Sequence, residues 1–196
     1  MRKGRPNDPE RRTRIVSAAL DVIREDGVQA ASYRRIAARA GVPLGSMTYY
    51  FPEVDGLVAT AFETLGNELE PRYAAPLREA STPDDVADAL ASATVGATSP
   101  SSTDLRLYTE LYRYAARSAR GMDLVRAFQA ESLAMLRTRL SDPAARAVDA
   151  LMWGWWTYRT FHEDLPLDEG MVRRAYRALL DVPAASESAE QENHHA

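Results

Sequence analysis

The sequence contains no cysteine, and only three of its 196 residues are histidine. The lack of cysteine excludes disulfides, thiolate metal sites and cysteine nucleophiles. No run approaches the roughly 18 apolar residues of a membrane-spanning helix, and no apolar segment follows the basic start of the chain. We therefore expect a cytoplasmic protein with no membrane anchor and no signal peptide.

The motifs of common enzyme classes are also missing. The chain has no phosphate-binding glycine loop, no Gly-x-Ser-x-Gly turn and no helix with the His-Glu spacing of a metalloprotease. His162 stands beside Glu163 and Asp164, but three adjacent residues at a helix end rarely point to one centre. His194 and His195 lie in a polar tail. We predict no enzyme activity, no cofactor and no metal site.

Charge is distributed unevenly along the chain, although the net charge is only −4. Residues 1–50 have a balance of +5, and the remainder has a balance of −9. A basic segment on an acidic body indicates a local contact with a polyanion. Chance clustering is the alternative.

The apolar pattern is helical throughout, and no β pattern or repeat is present. Helix starts and stops predict nine helices. Pro71 and Pro76 are expected to kink or end the fourth helix, and Gly121 is expected to separate the sixth from the seventh. The last four helices are predicted at about 103–118, 122–140, 141–163 and 168–181.

Residues 32–51 predict a helix-turn-helix. Ser32 is a good N-cap for a helix that runs to about Ala40, Gly41 can take the positive φ of a tight turn, and Pro43 suits the start of a second helix ending near Phe51. Two such helices fit the major groove of DNA. An ordinary helical hairpin with surface tyrosines is the alternative.

This region resembles the TetR family of bacterial transcription regulators over about residues 9–62. The strongest match is the run from Ala40 to Phe51. Within the family, residues 7–12 and 41–51 are most similar to the RcdA-like regulators, with weaker support from 107–112 and 164–168. The other matching positions are Arg14-Ile15, Ala18-Ala19, Asp26-Gly27, Ser32, Arg34-Arg35-Ile36-Ala37 and Leu57.

The resemblance implies an all-α, TetR-like fold of about nine helices. Its parts would be a flexible basic arm at 1–8, a three-helix DNA-binding domain at 9–54 with the helix-turn-helix at 32–51, a ligand-binding and dimerisation domain at 55–182, and a disordered tail at 183–196. It also implies that Ile36, Met47 and Phe51 are core. The expected DNA-contacting residues are Ser32, Arg34, Leu44, Gly45, Ser46, Thr48, Tyr49 and Tyr50.

The chain departs from the family just after the helix-turn-helix. Glu53-Val54-Asp55 replaces the usual Ser-Lys-Glu, so the lysine that holds a phosphate is absent at Val54. We hypothesise that Arg2, Lys3 and Arg5 compensate from the arm. A solvated arm without DNA contacts is the alternative.

The eighth predicted helix is apolar on most sides, which indicates burial on most sides. Its small residues are expected to face a second copy of the chain, as the last two helices do in the resembled family. A single large monomeric core is the alternative. The candidate dimer-interface residues are Ala147, Ala150, Gly154, Thr157, Val172, Ala175, Tyr176 and Leu179.

Aromatic and polar residues are mixed in the sixth and eighth helices, as they are in ligand pockets. Trp153 and Trp156 could form an aromatic box for a cationic or flat ligand. Ordinary core packing is the alternative for each of these residues. The candidate ligand-binding residues are Tyr108, Tyr112, Met152, Trp153, Trp156, Arg159 and His162.

These features together predict a ligand-responsive regulator that binds a palindrome-like double-stranded DNA operator as a homodimer. The expected output is repression, relieved by a small-molecule effector of unknown identity. A transcriptional activator of the same fold is the first alternative. A helical small-molecule-binding protein with no role on DNA is the second, and it leaves the basic arm and residues 32–51 unexplained.

Overall fold

The computed structural model describes residues 9–162 and 164–180, and every regular element in those ranges is helical. The predicted all-helical class is therefore confirmed. The predicted arm 1–8 and tail 183–196 lie outside the described residues. The α-helices are α1 (Pro9–Asp26), α2 (Tyr33–Ala40), α3 (Met47–Tyr50), α4 (Val54–Glu79), α5 (Pro83–Thr94), α6 (Ser102–Ala115), α7 (Ala119–Leu136), α8 (Asp142–Phe161) and α9 (Glu169–Leu180).

Backbone contacts divide the chain into two compact units. The first comprises residues 1–71 and 100–130, and the second comprises 72–99 and 131–196. The predicted DNA-binding segment 9–54 lies wholly in the first unit, whereas the predicted body 55–182 contributes to both.

In the first unit, α1 packs against α2 and α6. Its apolar stripe is buried, with Ile15 and Ala19 fully inaccessible and Ile23 nearly so. Helical spacing brings these residues to one face, which is why α1 forms the centre of the unit.

In the second unit, α5 packs against α9, and both contact α8. The core face of α8 carries Ala145, Val148, Met152 and Trp156, all at most 3% exposed. Thr94 Oγ1 lies 2.7 Å from the hydroxyl of the fully buried Tyr176, so the one polar tip that α9 brings into this core has a partner.

Two proline-based expectations require correction. Helix α4 does not end at Pro71 or Pro76 but runs through both to Glu79. Each proline removes one backbone donor, a cost of about 3 kcal/mol in a helix interior. Burial around them offsets that cost, because Leu69, Ala74 and Leu77 are all at most 3% exposed.

The expected break at Gly121 is also wrong. Helix α6 ends at Ala115, and α7 begins at Ala119, with Ser118 Oγ accepting a 3.2 Å hydrogen bond from the Gly121 N–H. Gly121 is therefore in the first helical turn. A Cβ there would lie 2.7 Å from the Tyr114 ring, so the glycine permits close packing and does not end a helix. Helices α7 and α8 end earlier than predicted, at Leu136 and Phe161.

Candidate DNA-binding site

The helix-turn-helix forms at the predicted residues. Ser32 has extended backbone angles, and its Oγ accepts a 3.4 Å hydrogen bond from the Arg35 N–H, which starts α2. Gly41 ends the helix at φ 63° and ψ 36°, the left-handed conformation that glycine adopts without strain. The Val42 N–H then donates to the Ala37 carbonyl at 3.0 Å, which closes the turn.

The second helix is shorter than predicted. Residues 44–46 form a 3-10 turn, and only the four residues Met47–Tyr50 are α-helical. Met47 is fully buried, Phe51 is 5% exposed, and Tyr33 donates a 2.5 Å hydrogen bond to the Phe51 carbonyl. The predicted core roles of Met47 and Phe51, and of the fully buried Ile36, agree with this packing.

The candidate DNA-contacting residues remain on the outside of this unit. Tyr49 is 70% exposed and Leu44 is 54% exposed. The rings of Tyr49 and Tyr50 meet edge to face with centroids 5.0 Å apart, so Tyr50 supports its more exposed neighbour. Of the remaining candidates, Ser32, Arg34, Gly45 and Thr48 are exposed, and Ser46 is half-buried.

The arginines near the helix-turn-helix differ in their partners. Arg35 pairs with Asp26 at 2.6 Å, and Arg39 pairs with Glu25, so these two cations stabilise the junction of α1 and α2. Arg34 is exposed and has no ion pair within the described ranges. Its charge is therefore available to a phosphate.

Arg12 is a basic residue of this surface that sequence reasoning did not select. Its guanidinium lies 5.0 Å from the centroid of the Phe51 ring, at the end of the reading helix. The only sequence signal was the Arg11-Arg12 pair in the first turns of α1. Arg2, Lys3 and Arg5, which the sequence did select, lie outside the described residues.

The start of α4 carries acidic residues and a bound arginine where the resembled family has a lysine. Arg120 of α7 lies 3.8 Å from the Glu53 carboxylate and 3.6 Å from that of Asp55. Ser118 donates a 2.9 Å hydrogen bond to Asp55, and Tyr114 donates a 3.0 Å hydrogen bond to the Asp55 carbonyl. Burial raises the pKa of Tyr114 to about 12, so its hydroxyl keeps its proton at neutral pH.

The candidate ligand residues are distributed over both units. Tyr108 and Tyr112 belong to the first unit, where Tyr108 is 7% exposed and Tyr112 is 40% exposed. The other candidates are in the second unit, where Met152 and Trp156 are buried and Trp153 is half-buried. Arg159 donates a 2.6 Å hydrogen bond to the Thr94 carbonyl, and burial lowers its pKa.

His162 stacks on Tyr158 with ring centroids 4.1 Å apart. Across residues 9–162 and 164–180, no group of three or more possible metal ligands occurs. Within the same ranges, no helix is long and apolar enough to cross a membrane.

The candidate dimer residues separate into two sets. Val172 and Tyr176 are fully buried inside the second unit, so they cannot contribute exposed surface to an interface, and these two predictions are wrong. The α9 stripe was assigned to a partner because periodicity does not distinguish an internal face from an intermolecular one. Of the rest, Ala150, Gly154 and Thr157 are exposed, and Ala147, Ala175 and Leu179 are half-buried.

An all-helical chain with a helix-turn-helix at its N-terminal end defines a class of DNA-binding regulators. Comparisons with known proteins support this class. Residues 15–61 match the family model described as bacterial regulatory proteins, tetR family. The chain is 30% identical to a TetR-family member from Streptomyces coelicolor A3, with a TM-score of 0.75, over 89% of this chain and 100% of the other. This chain belongs to the TetR family.

Two further relatives are informative. The multidrug binding protein EbrR, solved with imidazole, is 32% identical over 91% of this chain and 99% of its own, with a TM-score of 0.74. EbrR has also been solved with proflavin, malachite green and ethidium. The transcriptional regulator BetI of Cronobacter sakazakii is 35% identical over 77 residues, which span only 38% of each sequence. The expectation that the chain is not an enzyme is confirmed by its membership of a family of regulators.

Proposed function

We propose that this protein is a transcriptional regulator that binds a palindrome-like operator as a homodimer and leaves it when a small molecule binds. One observation carries the DNA role. In α3, the fully buried Met47 fixes the helix to its unit, while Tyr49 two residues later is 70% exposed. A large exposed aromatic side chain on a short, firmly packed helix has no structural purpose in the isolated chain, and it suits contact with DNA.

The proposed roles follow from position and exposure. Thr48 and Tyr49 read base edges in the groove, and Leu44 makes apolar contact there. A second set positions the unit on the backbone: the Ser32 hydroxyl, the Arg34 guanidinium and the Tyr50 hydroxyl contact phosphates. Gly45 and Ser46 allow close approach, and a Cβ at Gly45 would meet nothing within 4 Å in the protein itself. Arg2, Lys3 and Arg5 add phosphate or minor-groove contacts from the arm.

Dimerisation is proposed through the small-residue face of α8, formed by Ala147, Ala150, Gly154 and Thr157, with Ala175 and Leu179 of α9. A second copy can approach closely because a Cβ at Gly154 would meet no atom within 4 Å. Two copies would place two reading helices about 34–36 Å apart, one turn of DNA. One helix-turn-helix alone contacts too few bases to select an operator.

The proposed effector is a flat organic molecule bound in the helical body. EbrR is described as a multidrug binding protein, and its solved complexes contain planar dyes. The mixed aromatic and polar residues of α6 and α8 support a related role here, with Tyr108, Tyr112, Met152, Trp153, Trp156, Arg159 and His162 as candidates. Repression relieved by the effector is the proposed output, and activation by the same fold is the alternative.

Several finer assignments are proposals of the same kind. We assign the chain to the RcdA-like subgroup on residues 7–12 and 41–51, and to the cytoplasm on its composition. The proposed domain bounds are an arm at 1–8, a DNA-binding domain at 9–54, a body at 55–182 and a tail at 183–196.

The DNA role is tested by selecting bound fragments from genomic DNA with purified protein and measuring affinity for the enriched site against random DNA at physiological salt. Wild type is expected to prefer the enriched site by about a thousandfold or more. Tyr49→Ala is expected to lose most of that preference while its thermal unfolding is unchanged. Met122→Ala removes another exposed apolar side chain, 38% accessible and on α7, and is expected to bind like wild type.

Equal binding of wild type to random and enriched DNA would refute the DNA role and favour the helical small-molecule-binding alternative. Loss of binding by both variants would show that the effect does not come from the reading surface. Neighbouring genes of the enriched fragments would indicate the effector class and the direction of regulation.

A further inference from the structure

Asp149 of α8 is a half-buried carboxylate held by neutral donors. The Ser132 hydroxyl of α7 donates a hydrogen bond of 2.7 Å to it. Trp153, one turn further along α8, is a second hydrogen-bond donor to the same group. Burial raises the pKa of the Asp149 carboxyl above its ordinary value of 3.8, and the two hydrogen bonds oppose that rise. Within the described ranges, no Lys or Arg side chain lies within ion-pair distance of it.

Three aromatic rings adjoin this carboxylate in the second unit. Trp153 and Trp156 meet edge to face with centroids 5.2 Å apart, and Tyr73 lies 6.1 Å from Trp156. Asp149, Trp153 and Trp156 are spaced i, i+4 and i+7, so they share one side of α8. The Trp156 indole donates a 3.3 Å hydrogen bond to the Ala93 carbonyl, which fixes the ring in place.

A buried carboxylate without a cation has lost hydration that neutral donors restore only in part. The faces of tryptophan and tyrosine rings carry negative electrostatic potential and attract cations. Both features therefore favour the same kind of guest. A neutral molecule of the same shape would displace the remaining water from the carboxylate and give it no charge in return.

We propose that Asp149, Trp153, Trp156 and Tyr73 form a binding site for a flat organic cation, in which Asp149 supplies the countercharge and the aromatic rings supply the stacking surface. The inference rests on the proposed function in that it gives the effector a charge and the site a specificity-determining residue. Asp149 is not among the ligand residues that sequence patterns indicated, because a single aspartate on an apolar helix carries no sequence signal of its own.

Tryptophan fluorescence tests this site directly, because all three tryptophans of the chain, Trp153, Trp155 and Trp156, lie in one segment of α8. The probes are N-methylacridinium, a permanent cation, and acridine, its neutral counterpart above neutral pH. Wild type is expected to bind the cation at least about tenfold more tightly than the neutral ring. Asp149→Asn keeps the size and an acceptor for Ser132, and it is expected to reduce that ratio to about one.

Asp164→Asn is the matched control, because it removes an exposed carboxylate from the loop after α8 and should leave the ratio unchanged. Ser132→Ala keeps the Asp149 charge and should also retain the cation preference, which provides a second reading if Asp149→Asn folds poorly by circular dichroism. An undiminished ratio in a folded Asp149→Asn protein, or no preference in wild type, would overturn the proposal.

Release of operator DNA is measured with the same probes, so the two proposals can fail separately. Cation binding that depends on Asp149 without any release would contradict ligand-controlled DNA binding but uphold this site. Release by either probe with the same potency in wild type and Asp149→Asn would uphold the regulatory function and contradict this site.

Discussion

The carboxylate of Glu110 accepts a 2.7 Å hydrogen bond from the backbone N–H of Val28. Glu110 is in α6 and is 13% exposed, and Val28 begins the turn between α1 and α2. The bond thus connects α6 to the entrance of the helix-turn-helix. Glu110→Ala would leave the N–H of the buried Val28 without its acceptor, and we expect it to lower the free energy of unfolding by about 1–3 kcal/mol.

Glu110→Gln separates the hydrogen bond from the charge. The amide oxygen still accepts, so the expected loss is below about 1 kcal/mol. Urea denaturation of both variants measures the difference. Equal losses would show that the charge, also paired with Arg113, and not the bond to Val28, sets the stability.

Glycine substitutions distinguish backbone strain from DNA approach. Gly27 has φ 79°, and a Cβ there would lie 3.1 Å from the Glu110 carboxylate, so Gly27→Ala is expected to cost more than about 1 kcal/mol. Gly41→Ala is expected to cost about 1 kcal/mol from its φ of 63° alone, since nothing lies within 4 Å. Thermal unfolding ranks the two.

Gly45 lies in open space without a positive φ, so alanine there should not reduce stability. If Gly45 allows the backbone to approach DNA closely, Gly45→Ala weakens operator binding at unchanged melting temperature. Unchanged affinity would remove Gly45 from the proposed DNA contacts.

Val54 allows a direct test of the missing phosphate contact. Val54→Lys restores the family's cation at the first residue of α4, and we expect tighter operator binding with a salt slope steeper by about 0.9 per protomer. Val54→Gln has similar reach without charge and should keep the wild-type slope. An unchanged slope in Val54→Lys would mean that Glu53 and Asp55 neutralise the new cation.

The sequence was most informative where local chemistry decides the structure. Ser32 and Gly41 bound α2 through their own cap and φ preferences, and Met47 and Phe51 were correctly assigned to the core. Prolines were misleading in α4, because the cost of a lost donor is local while the burial of Leu69, Ala74 and Leu77 that offsets it is tertiary.

Functional residues that depend on long-range pairing were beyond reach of the sequence. Val172 and Tyr176 carry an apolar stripe that fits an internal core as well as a partner chain, and only packing shows that it is internal. Glu110, Arg120 and Asp149 are ordinary surface residue types by pattern. Their roles arise from partners 17 or more residues away in the chain, such as Ser132 for Asp149.

The exposed face of α8 predicts a sensitive dimer interface. Gly154→Arg should not harm the protomer, since its Cβ has free space and arginine is a better helix former than glycine by about 0.5–1 kcal/mol. Burying that charge between two copies is costly, so the mutant is expected to sediment as a monomer and to lose operator binding. Ala130→Arg, on an exposed position of α7, is the control and should remain dimeric. A dimeric Gly154→Arg protein would place the interface elsewhere.

Asp149 also predicts how stability depends on pH. Burial raises its pKa in the folded chain above 3.8, so the folded chain binds that proton more tightly than the unfolded chain does. The ionised carboxylate therefore destabilises the fold once the pH rises through the interval between 3.8 and the raised pKa. Tyr176 of α9 is the other titratable group affected by the Asp149 charge, and its pKa is raised mainly by burial, so it stays neutral across this range.

Asp149→Asn removes this titration while keeping an acceptor for Ser132. We expect the variant to be more stable than wild type at pH 7 and to lose that advantage as the pH falls below about 4, where both carry a neutral side chain. Chemical denaturation of both proteins across this range gives the difference free of other titrating groups, which cancel between them. A constant difference at all pH values would show that packing, and not the charge, separates the two proteins. A variant less stable at pH 7 would show that Ser132 and Trp153 already compensate the carboxylate fully.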